Sequence, residues 1–339
     1  MSSFFKVDTH CHILPKHIPD FKKSFGYGGF VYLDHKSDTQ ADMMLDDGSF
    51  FRTVDNNLWD YNVRIDEMNE VGVDVQVLST VPVMFNYWAK PQHTLEISKF
   101  LNDNLIEAVK SHPDRFVGLA TLPMNDVDLA IKELERVHSL GFEGIQIGSH
   151  INELNLDNST FKPLYEKLQE LDMAIFVHPW KMPWRDEKFW AGWLIGMPAE
   201  TSKSICDLMF GGIFDDFPKL RFSFAHCAGS FPGTIGRIDH GYNVRPDLFS
   251  NQSKSPKDYL GHFYADSLTA DSKILEFNLS ILGEDKIMLG SDYPFPLGEK
   301  SIGKIISELE AFDDSVKAKI YGLSALNWLG VSIDKFSKN

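Results

Sequence analysis

Short apolar runs alternate along the chain with longer segments whose apolar residues recur at helical spacing. From about residue 73 the alternation is regular, and seven apolar runs there, together with one near the start of the chain, each precede a helical segment. The predicted strands are at 7–12, 73–80, 116–122, 144–148, 174–177, 220–225, 263–266 and 286–290. The predicted helices are at 61–71, 94–111, 127–140, 161–171, 198–214, from about 231, at 273–282, and at 301–312 with 314–328.

This alternation predicts the fold class. Parallel strands need a crossover connection, which is usually a helix, so alternating strands and helices indicate a parallel sheet. Eight strand–helix units in 339 residues fit an α/β fold of the (βα)8, TIM-like barrel type. An open, doubly wound sheet is the alternative, but no Gly-x-Gly-x-x-Gly motif follows a predicted strand. We therefore predict one barrel domain over residues 1–339.

Residues from about 13 to 58 interrupt the alternation. They contain closely spaced glycines and two short apolar runs at 30–33 and 50–54, with turn residues between them. We interpret this segment as a small β-containing insertion after the first barrel strand. Asp60 then marks the beginning of a helix that runs to about Val71.

Composition narrows the classes of function. The net charge of −15 and pI of about 5.2 argue against nucleic acid as a partner, because phosphate binding needs a basic surface. We expect no membrane span, since no apolar run approaches the length of one, and no signal peptide at the start of the sequence. The cysteines are Cys11, Cys206 and Cys227, an odd and widely spaced set that favours a cytoplasmic protein.

Histidine and aspartate residues stand at the ends of several predicted strands. His10 and His12 lie in the first strand and face the same side, because side chains alternate along a strand. His178 follows the fifth strand, His226 the sixth and Asp292 the eighth. A lone histidine is usually an ordinary surface or core residue. Several of them at the carboxyl ends of barrel strands, where active sites lie, favour a site for one divalent metal ion.

This arrangement resembles the amidohydrolase superfamily, which has His-x-His after the first barrel strand, His after the fifth and sixth, and Asp after the eighth. Members with two metals add a bridging Lys or Glu after the fourth strand, where this chain has Ser149 and His150. The resemblance implies one zinc ion per chain. Its implied ligands are His10, His12, His178 and Asp292, with water completing the shell.

Longer motifs extend over nearly the whole chain. They are HCHILP from residue 10, FGYGG from 25, LSTVPVMF from 78, QIG from 146, HPW from 178, GMPAET from 196 and GSDYPFPLGE from 290. These motifs resemble the metal-dependent decarboxylases of the superfamily, in particular the family that acts in the tryptophan–kynurenine pathway. Two departures leave the exact substrate open. Cys227 and Ala228 stand where this family usually has glycines, and Lys181 stands where it usually has Asp.

The resemblance also implies roles for single residues. His226 is the candidate general base for the metal's water, since an imidazole titrates near neutral pH; a further metal ligand is the alternative. Asp292 is expected to relay protons while bound. Arg52 matches a substrate-binding arginine, and Arg237 matches a second one donated across a dimer interface, with Arg245 as a rival. A homodimer that binds a small anionic substrate is thus expected.

Three functions compete at this point. The first is non-oxidative decarboxylation of an unsaturated carboxylic acid, in a pocket walled by Trp180 and Phe295 together with Trp190, Trp193 and Met182. The second is hydrolysis of an amide or lactone, because the same metal and water would also serve attack on a carbonyl carbon. The third is a non-enzymatic binding protein on the same fold. The complete ligand set disfavours the third, and Arg52 favours the first over the second.

Overall fold

The structure is a computed structural model that describes residues 4–249 and 254–337. Its strands are β1 (Val7–Ile13), β2 (Val31–His35), β3 (Gln40–Leu45), β4 (Phe50–Asp55), β5 (Val75–Thr80), β6 (Phe116–Thr121), β7 (Gly144–Gly148), β8 (His150–Ile151), β9 (Leu154–Asn155), β10 (Ala174–His178), β11 (Arg221–Phe224), β12 (Tyr264–Asp266) and β13 (Ile287–Met288). Its helices are α1 (Phe21–Phe25), α2 (Tyr61–Val71), α3 (Pro91–Ser111), α4 (Val127–Leu140), α5 (Lys162–Glu170), α6 (Met197–Phe210), α7 (Ile213–Asp216), α8 (Phe231–Val244), α9 (Ser272–Leu282), α10 (Lys304–Ser307), α11 (Asp314–Ala318) and α12 (Ser324–Leu329).

Eight parallel strands form a closed barrel. The order of neighbours is β1-β5-β6-β7-β10-β11-β12-β13, and every pair in it is parallel. The last strand returns to the first, where Thr9 N donates to Leu289 O at 2.8 Å and His12 N donates to Tyr293 O at 2.8 Å. The predicted (βα)8 barrel is therefore confirmed, and the open doubly wound sheet is wrong.

Local sequence explains why helices and strands alternate so regularly. The strand residues are buried on both faces, as expected where a strand is covered by the barrel interior on one side and by helices on the other. In α4 the Asp126 side chain caps the first turn by accepting from Leu129 N at 3.0 Å. The same helix ends at Gly141, whose φ of 99° suits glycine. Its apolar side, with Leu134 and Val137, is buried against the barrel.

The predicted insertion holds a small antiparallel sheet of the order β2-β3-β4. Two of its strands were predicted, but β3 was missed because its sequence, QADMML, is weakly apolar. In β3 only Ala41 and Met43 are buried, and polar residues alternate with them. Asp60 caps α2 as predicted, accepting from Asn62 N at 3.0 Å. The sheet carries Arg52 to the mouth of the barrel.

One predicted helix near the end of the chain was too long. The segment predicted at 301–312 contains only the short α10, because Gly303 before it adopts φ 82° and Asp313 caps the next helix. The helix predicted at 314–328 is confirmed, because α11, a wide π-type segment at Lys319–Leu323 and α12 follow one another without a break. Within the described residues, no helix is both long and apolar enough to cross a membrane.

Candidate metal centre

Four buried side chains converge at the carboxyl ends of the barrel strands. His10 and His12 come from β1, His178 from the end of β10, and Asp292 from the segment after β13. Each offers one ligand atom, and these atoms all lie within 4.8 Å of one another. The four residues therefore lie together, as the sequence predicted. Their role as metal ligands stays a prediction.

The donor atoms face each other closely. His10 Nε2 lies 3.2 Å from His12 Nε2, and Asp292 Oδ1 lies 3.1 Å from His12 Nε2 and 3.5 Å from His10 Nε2. His178 Nε2 is buried and has no hydrogen-bond partner among the described residues. Imidazole lone pairs that point at one another repel, and a buried polar atom without a partner is costly. A cation bound between them removes both costs, so the donor set fits a divalent metal.

Hydrogen bonds on the far side of each ring hold the histidines in the orientation that a metal needs. In every case Nδ1 lies against an acceptor, which places its proton there and leaves Nε2 with a free lone pair. The acceptors are Asp266 Oδ2 for His10 at 2.7 Å, the Thr80 carbonyl for His12 at 3.1 Å and the Pro179 carbonyl for His178 at 2.6 Å.

The protonation states agree with this assignment. Burial lowers the pKa of His12, and burial, followed by repulsion from His226 when that ring is protonated, lowers the pKa of His178 well below its usual range. Burial alone would raise the pKa of Asp292, but its hydrogen bond to His12 and the neighbouring histidine charges lower it to about 2. Burial opposes the charged form of His10, but the Asp266 hydrogen bond and the Asp292 charge raise its pKa. A cation would take the place of that proton.

His226 lies beside this group without belonging to it. Its ring centroid is 5.0 Å from that of His178 and 5.2 Å from that of His10. It sits in a tight turn, Ala225–Ala228, in which its φ is 55° and Cys227 is also left-handed. Burial, and then the charge on His10, lower the pKa of His226 to about 4. The ordinary imidazole pKa expected from sequence is thus wrong here, and the ring is uncharged near neutral pH.

Asp266, at the end of β12, was not among the predicted site residues. Besides the His10 ring, it accepts from three backbone N–H groups: those of His226 at 2.8 Å, Cys227 at 2.8 Å and Leu268 at 3.0 Å. It therefore fixes both a predicted metal ligand and the strained turn that carries His226. An aspartate that ends an apolar strand was the signal available in the sequence.

Three of the four side chains, those of His12, His178 and Asp292, line a cavity of about 500 Å³. As predicted, Arg52, Trp180 and Phe295 line it, together with Trp190, Trp193 and Met182. Arg237 does not line it; this residue is exposed on α8. The rival Arg245 is also exposed and pairs with Asp247 at 2.8 Å.

The walls of the cavity carry positive charge. Besides Arg52, its basic side chains are Lys181 and Arg185. The sequence analysis had assigned a binding role to neither of these two residues. The only acidic side chain among the lining residues is Asp292. The guanidinium carbon of Arg52 lies 4.6 Å from the ring centroid of Phe295. In a protein of net charge −15, this local excess of cations favours an anionic ligand.

The closed barrel and the His, His, His, Asp group at its carboxyl end define a class of metal-dependent enzymes. The sequence model of the family described as Amidohydrolase matches residues 7–331, and this chain belongs to that family.

Particular relatives narrow the comparison. The chain is 48% identical to 2-amino-3-carboxymuconate-6-semialdehyde decarboxylase from Dictyostelium discoideum, over 98% of this chain and 93% of the relative. It is 40% identical to the protein of that name from Caenorhabditis elegans, over 96% and 94% of the two chains. The crystal structure of a dihydroxybenzoic acid decarboxylase from Polaromonas, with bound manganese, superposes with a TM-score of 0.78. That structure is 23% identical and matches 96% of this chain and 97% of its own, which supports the fold.

Proposed function

We propose that this protein is a metal-dependent decarboxylase that converts 2-amino-3-carboxymuconate 6-semialdehyde to 2-aminomuconate 6-semialdehyde and carbon dioxide, a step of tryptophan catabolism by the kynurenine route. The observation that carries the proposal is the buried group of His10, His12, His178 and Asp292 at the base of a cation-lined cavity. The identity of 48% to a decarboxylase of this name over nearly the full length supports the substrate.

We propose zinc as the metal, one ion per chain. Three imidazole nitrogens and one carboxylate oxygen suit zinc with room for a further ligand. When bound, such an ion would act as a Lewis acid and lower the pKa of a coordinated water. Manganese is the alternative, since a structural neighbour contains it. A reducing cytoplasmic location is also proposed, because Cys11, Cys206 and Cys227 are all free thiols.

The side chains around the cavity divide the remaining tasks. The Arg52 guanidinium is partly buried and forms no hydrogen bond or ion pair with a described residue, so it is available to hold a substrate carboxylate. Trp180 and Phe295 shield the reacting carbons from bulk water. His226 is uncharged, and its buried Nδ1 has no partner among the described residues, so the ring can take up a proton. Asp292 remains ionised beside it.

Direct assay separates decarboxylation from hydrolysis. We expect the zinc-loaded protein to consume freshly prepared 2-amino-3-carboxymuconate 6-semialdehyde, with loss of its ultraviolet absorbance and release of one carbon dioxide per molecule. A panel of lactones and amides, incubated under the same conditions, should remain unchanged. Hydrolysis of the panel without carbon dioxide release from the semialdehyde would identify the protein as a hydrolase instead.

We further propose that the active unit is a homodimer in which Arg237 reaches the partner's cavity. Arg237 is exposed on α8 and lies outside the cavity of its own chain. Large apolar residues are exposed close by in the chain, with Val244 57% and Leu248 61% accessible, which favours a covered face. Such dimers are commonly two-fold, so each chain would give and receive one arginine.

Complementation between two inactive variants tests this dimer. Arg52→Ala and Arg237→Ala should each be inactive alone, because each site would lack one substrate-binding guanidinium. In coexpressed chains that pair at random, about half of the dimers are mixed and each has one intact site, so roughly a quarter of all sites should recover. Carbon dioxide release from the unfractionated mixture checks this fraction, and purified heterodimers, which have one intact site of two, should show about half of the activity of the unaltered protein. Heterodimers as inactive as the parents would place Arg237 outside the partner's site.

A further inference from the structure

One fully buried arginine on α2 lies directly behind the converging side chains. The guanidinium of Arg64 donates to the carbonyl oxygen of His12. Its other two hydrogen bonds go to the Asn57 carbonyl and to Gln76 Oε1, each at 3.0 Å. All three acceptors are uncharged, and burial of a charge that is not bonded to a carboxylate costs free energy. The presence of Arg64 is therefore better explained by the groups that it holds than by its contribution to stability.

The same guanidinium packs against the segment that carries Asp292. Its central carbon lies 4.6 Å from the ring centroid of Tyr293, the residue that follows Asp292. The Tyr293 hydroxyl donates to Glu67, one turn along α2 from Arg64. The Tyr293 carbonyl accepts from the His12 N–H at 2.8 Å. Both peptide groups of His12 are thus bound, one by Tyr293 and the other by Arg64, which itself lies on the Tyr293 ring.

These contacts lie where the first and last barrel strands meet. Among the described residues, the backbone hydrogen bonds across this junction are those donated by Thr9 and His12, whereas β1 pairs with β5 along its whole length with one irregularity. Asp292, at the junction, has φ 58°, a left-handed conformation that costs free energy in residues other than glycine and persists where surrounding contacts hold it. Side chains therefore supply the fixation that backbone pairing provides between the other strands.

We propose that Arg64 is a positioning residue of the metal centre, which fixes the separation of His12 and Asp292 across this junction. The proposal rests on the proposed function for the metal centre alone, and the identity of the substrate does not enter it. The hydrogen bond from Arg64 sets the end of the first strand, and its contact with the Tyr293 ring sets the segment of Asp292. His12 Nε2 and Asp292 Oδ1 lie 3.1 Å apart, so a shift of either backbone changes the donor geometry that a cation meets.

Charge and geometry predict opposite effects for this arginine. A buried cation repels a divalent cation bound nearby, so an electrostatic role alone predicts tighter metal binding when Arg64 is made neutral. A positioning role predicts weaker binding, even in a variant that retains the charge. Arg64→Lys isolates the geometric effect, because an ammonium group keeps the charge but lacks the planar fork that donates to several acceptors at once.

Zinc titrations of the metal-free chain in competition with a chromophoric chelator measure the effect. We expect Arg64→Met to weaken zinc binding by about 10–100-fold, the range typical of partners behind metal ligands, and Arg64→Lys by about 3–10-fold. Tyr293→Leu leaves Arg64 in place but removes the ring on which the guanidinium lies, and should weaken zinc binding by about 3–10-fold as well. Arg64→Lys and Tyr293→Leu keep the test decisive if Arg64→Met fails to fold. Cobalt bound in place of zinc reports the ligand geometry, and its visible absorption bands should shift in all three variants.

Arg115 supplies the matched control at the opposite end of the barrel. Its guanidinium also donates to backbone carbonyls, those of Asp74 at 2.7 Å and Val73 at 3.0 Å, just before β5 begins. Arg115→Lys removes the same planar fork far from the converging side chains, so zinc affinity should stay within about 2-fold of the unaltered protein. The cobalt bands should keep their positions. Thermal unfolding of the metal-free variants measures any general loss of stability separately.

Two kinds of failure are distinguishable in this experiment. Zinc affinity in Arg64→Lys equal to that in Arg115→Lys, tighter binding in Arg64→Met, or unshifted cobalt bands in Arg64→Lys would overturn the positioning role. In those cases the unaltered protein still binds its metal, and the proposed centre stands. An unaltered protein that binds no zinc would overturn the proposed metal centre and the role of Arg64 together.

Discussion

Replacing His12 with alanine is expected to remove most of the bound metal and nearly all decarboxylation. His12 Nε2 lies 3.2 Å from His10 Nε2 and 3.1 Å from Asp292 Oδ1, so it directly faces two of the other three donor atoms. Loss of a hydrogen-bond partner behind a metal ligand typically lowers affinity by about 10–100-fold, and loss of the ligand itself should lower it further. Metal content per chain, measured by plasma mass spectrometry, and carbon dioxide release check the result.

Two comparison variants sharpen this prediction. His138→Ala changes an exposed histidine on α4 and should leave one metal per chain. Asp266→Asn should weaken metal binding less than His12→Ala, because it keeps all four converging side chains and removes only an acceptor oxygen shared by the His10 ring and the His226 N–H. Two metals per chain in the unaltered protein, or full metal content in His12→Ala, would show that the ligand group is wrongly assigned.

Replacing His226 is expected to separate metal binding from catalysis. His226 is outside the group of converging ligand atoms, so His226→Ala should keep its metal. Loss of a positioned general base typically lowers the rate by about 10²–10⁴-fold, and we expect kcat to fall within that range while KM changes little. Steady-state kinetics together with metal analysis of the same preparation measure both quantities.

Backbone strain at this position requires a second variant. His226 has φ 55°, a conformation that asparagine tolerates better than alanine. His226→Asn therefore removes the imidazole with less disturbance of the turn, and should match His226→Ala in activity. If both variants lose metal in parallel with activity, His226 is a metal ligand and the assignment of a base is incorrect.

The sequence predicted those parts of the site that follow from single strands. His10 and His12 share a face because they are two residues apart in a strand, and His178 ends an apolar run. Asp266 and Arg185 could not be assigned in the same way. The role of Asp266 depends on the adjacent turn after β11, which its side chain reaches only because β11 and β12 are neighbours in the barrel. Arg185 lines the cavity from a loop between β10 and α6, where no strand spacing indicates the direction of a side chain.

In the fold, too, features set within one strand were predictable, and features that depend on neighbouring elements were not. The eight barrel strands were predictable because burial on both faces leaves continuous apolar runs. The strand β3 and the ends of α10 were not, because pairing partners and left-handed residues decide them. Gly303 is an example, since its φ of 82° keeps α10 from beginning earlier, which helical spacing alone does not reveal.

The place where the barrel closes has a consequence for how the protein matures in the cell. Two of the four converging residues lie on the first strand, and Asp292 follows the last, across the junction where Thr9 N donates to Leu289 O at 2.8 Å. A ribosome must synthesise nearly the entire chain before these side chains can meet. Nascent fragments ending before Asp292 lack the full donor set. A metal that needs all four donors would therefore bind after the last barrel strand has been synthesised, and it would link the first strand to the segment after the last.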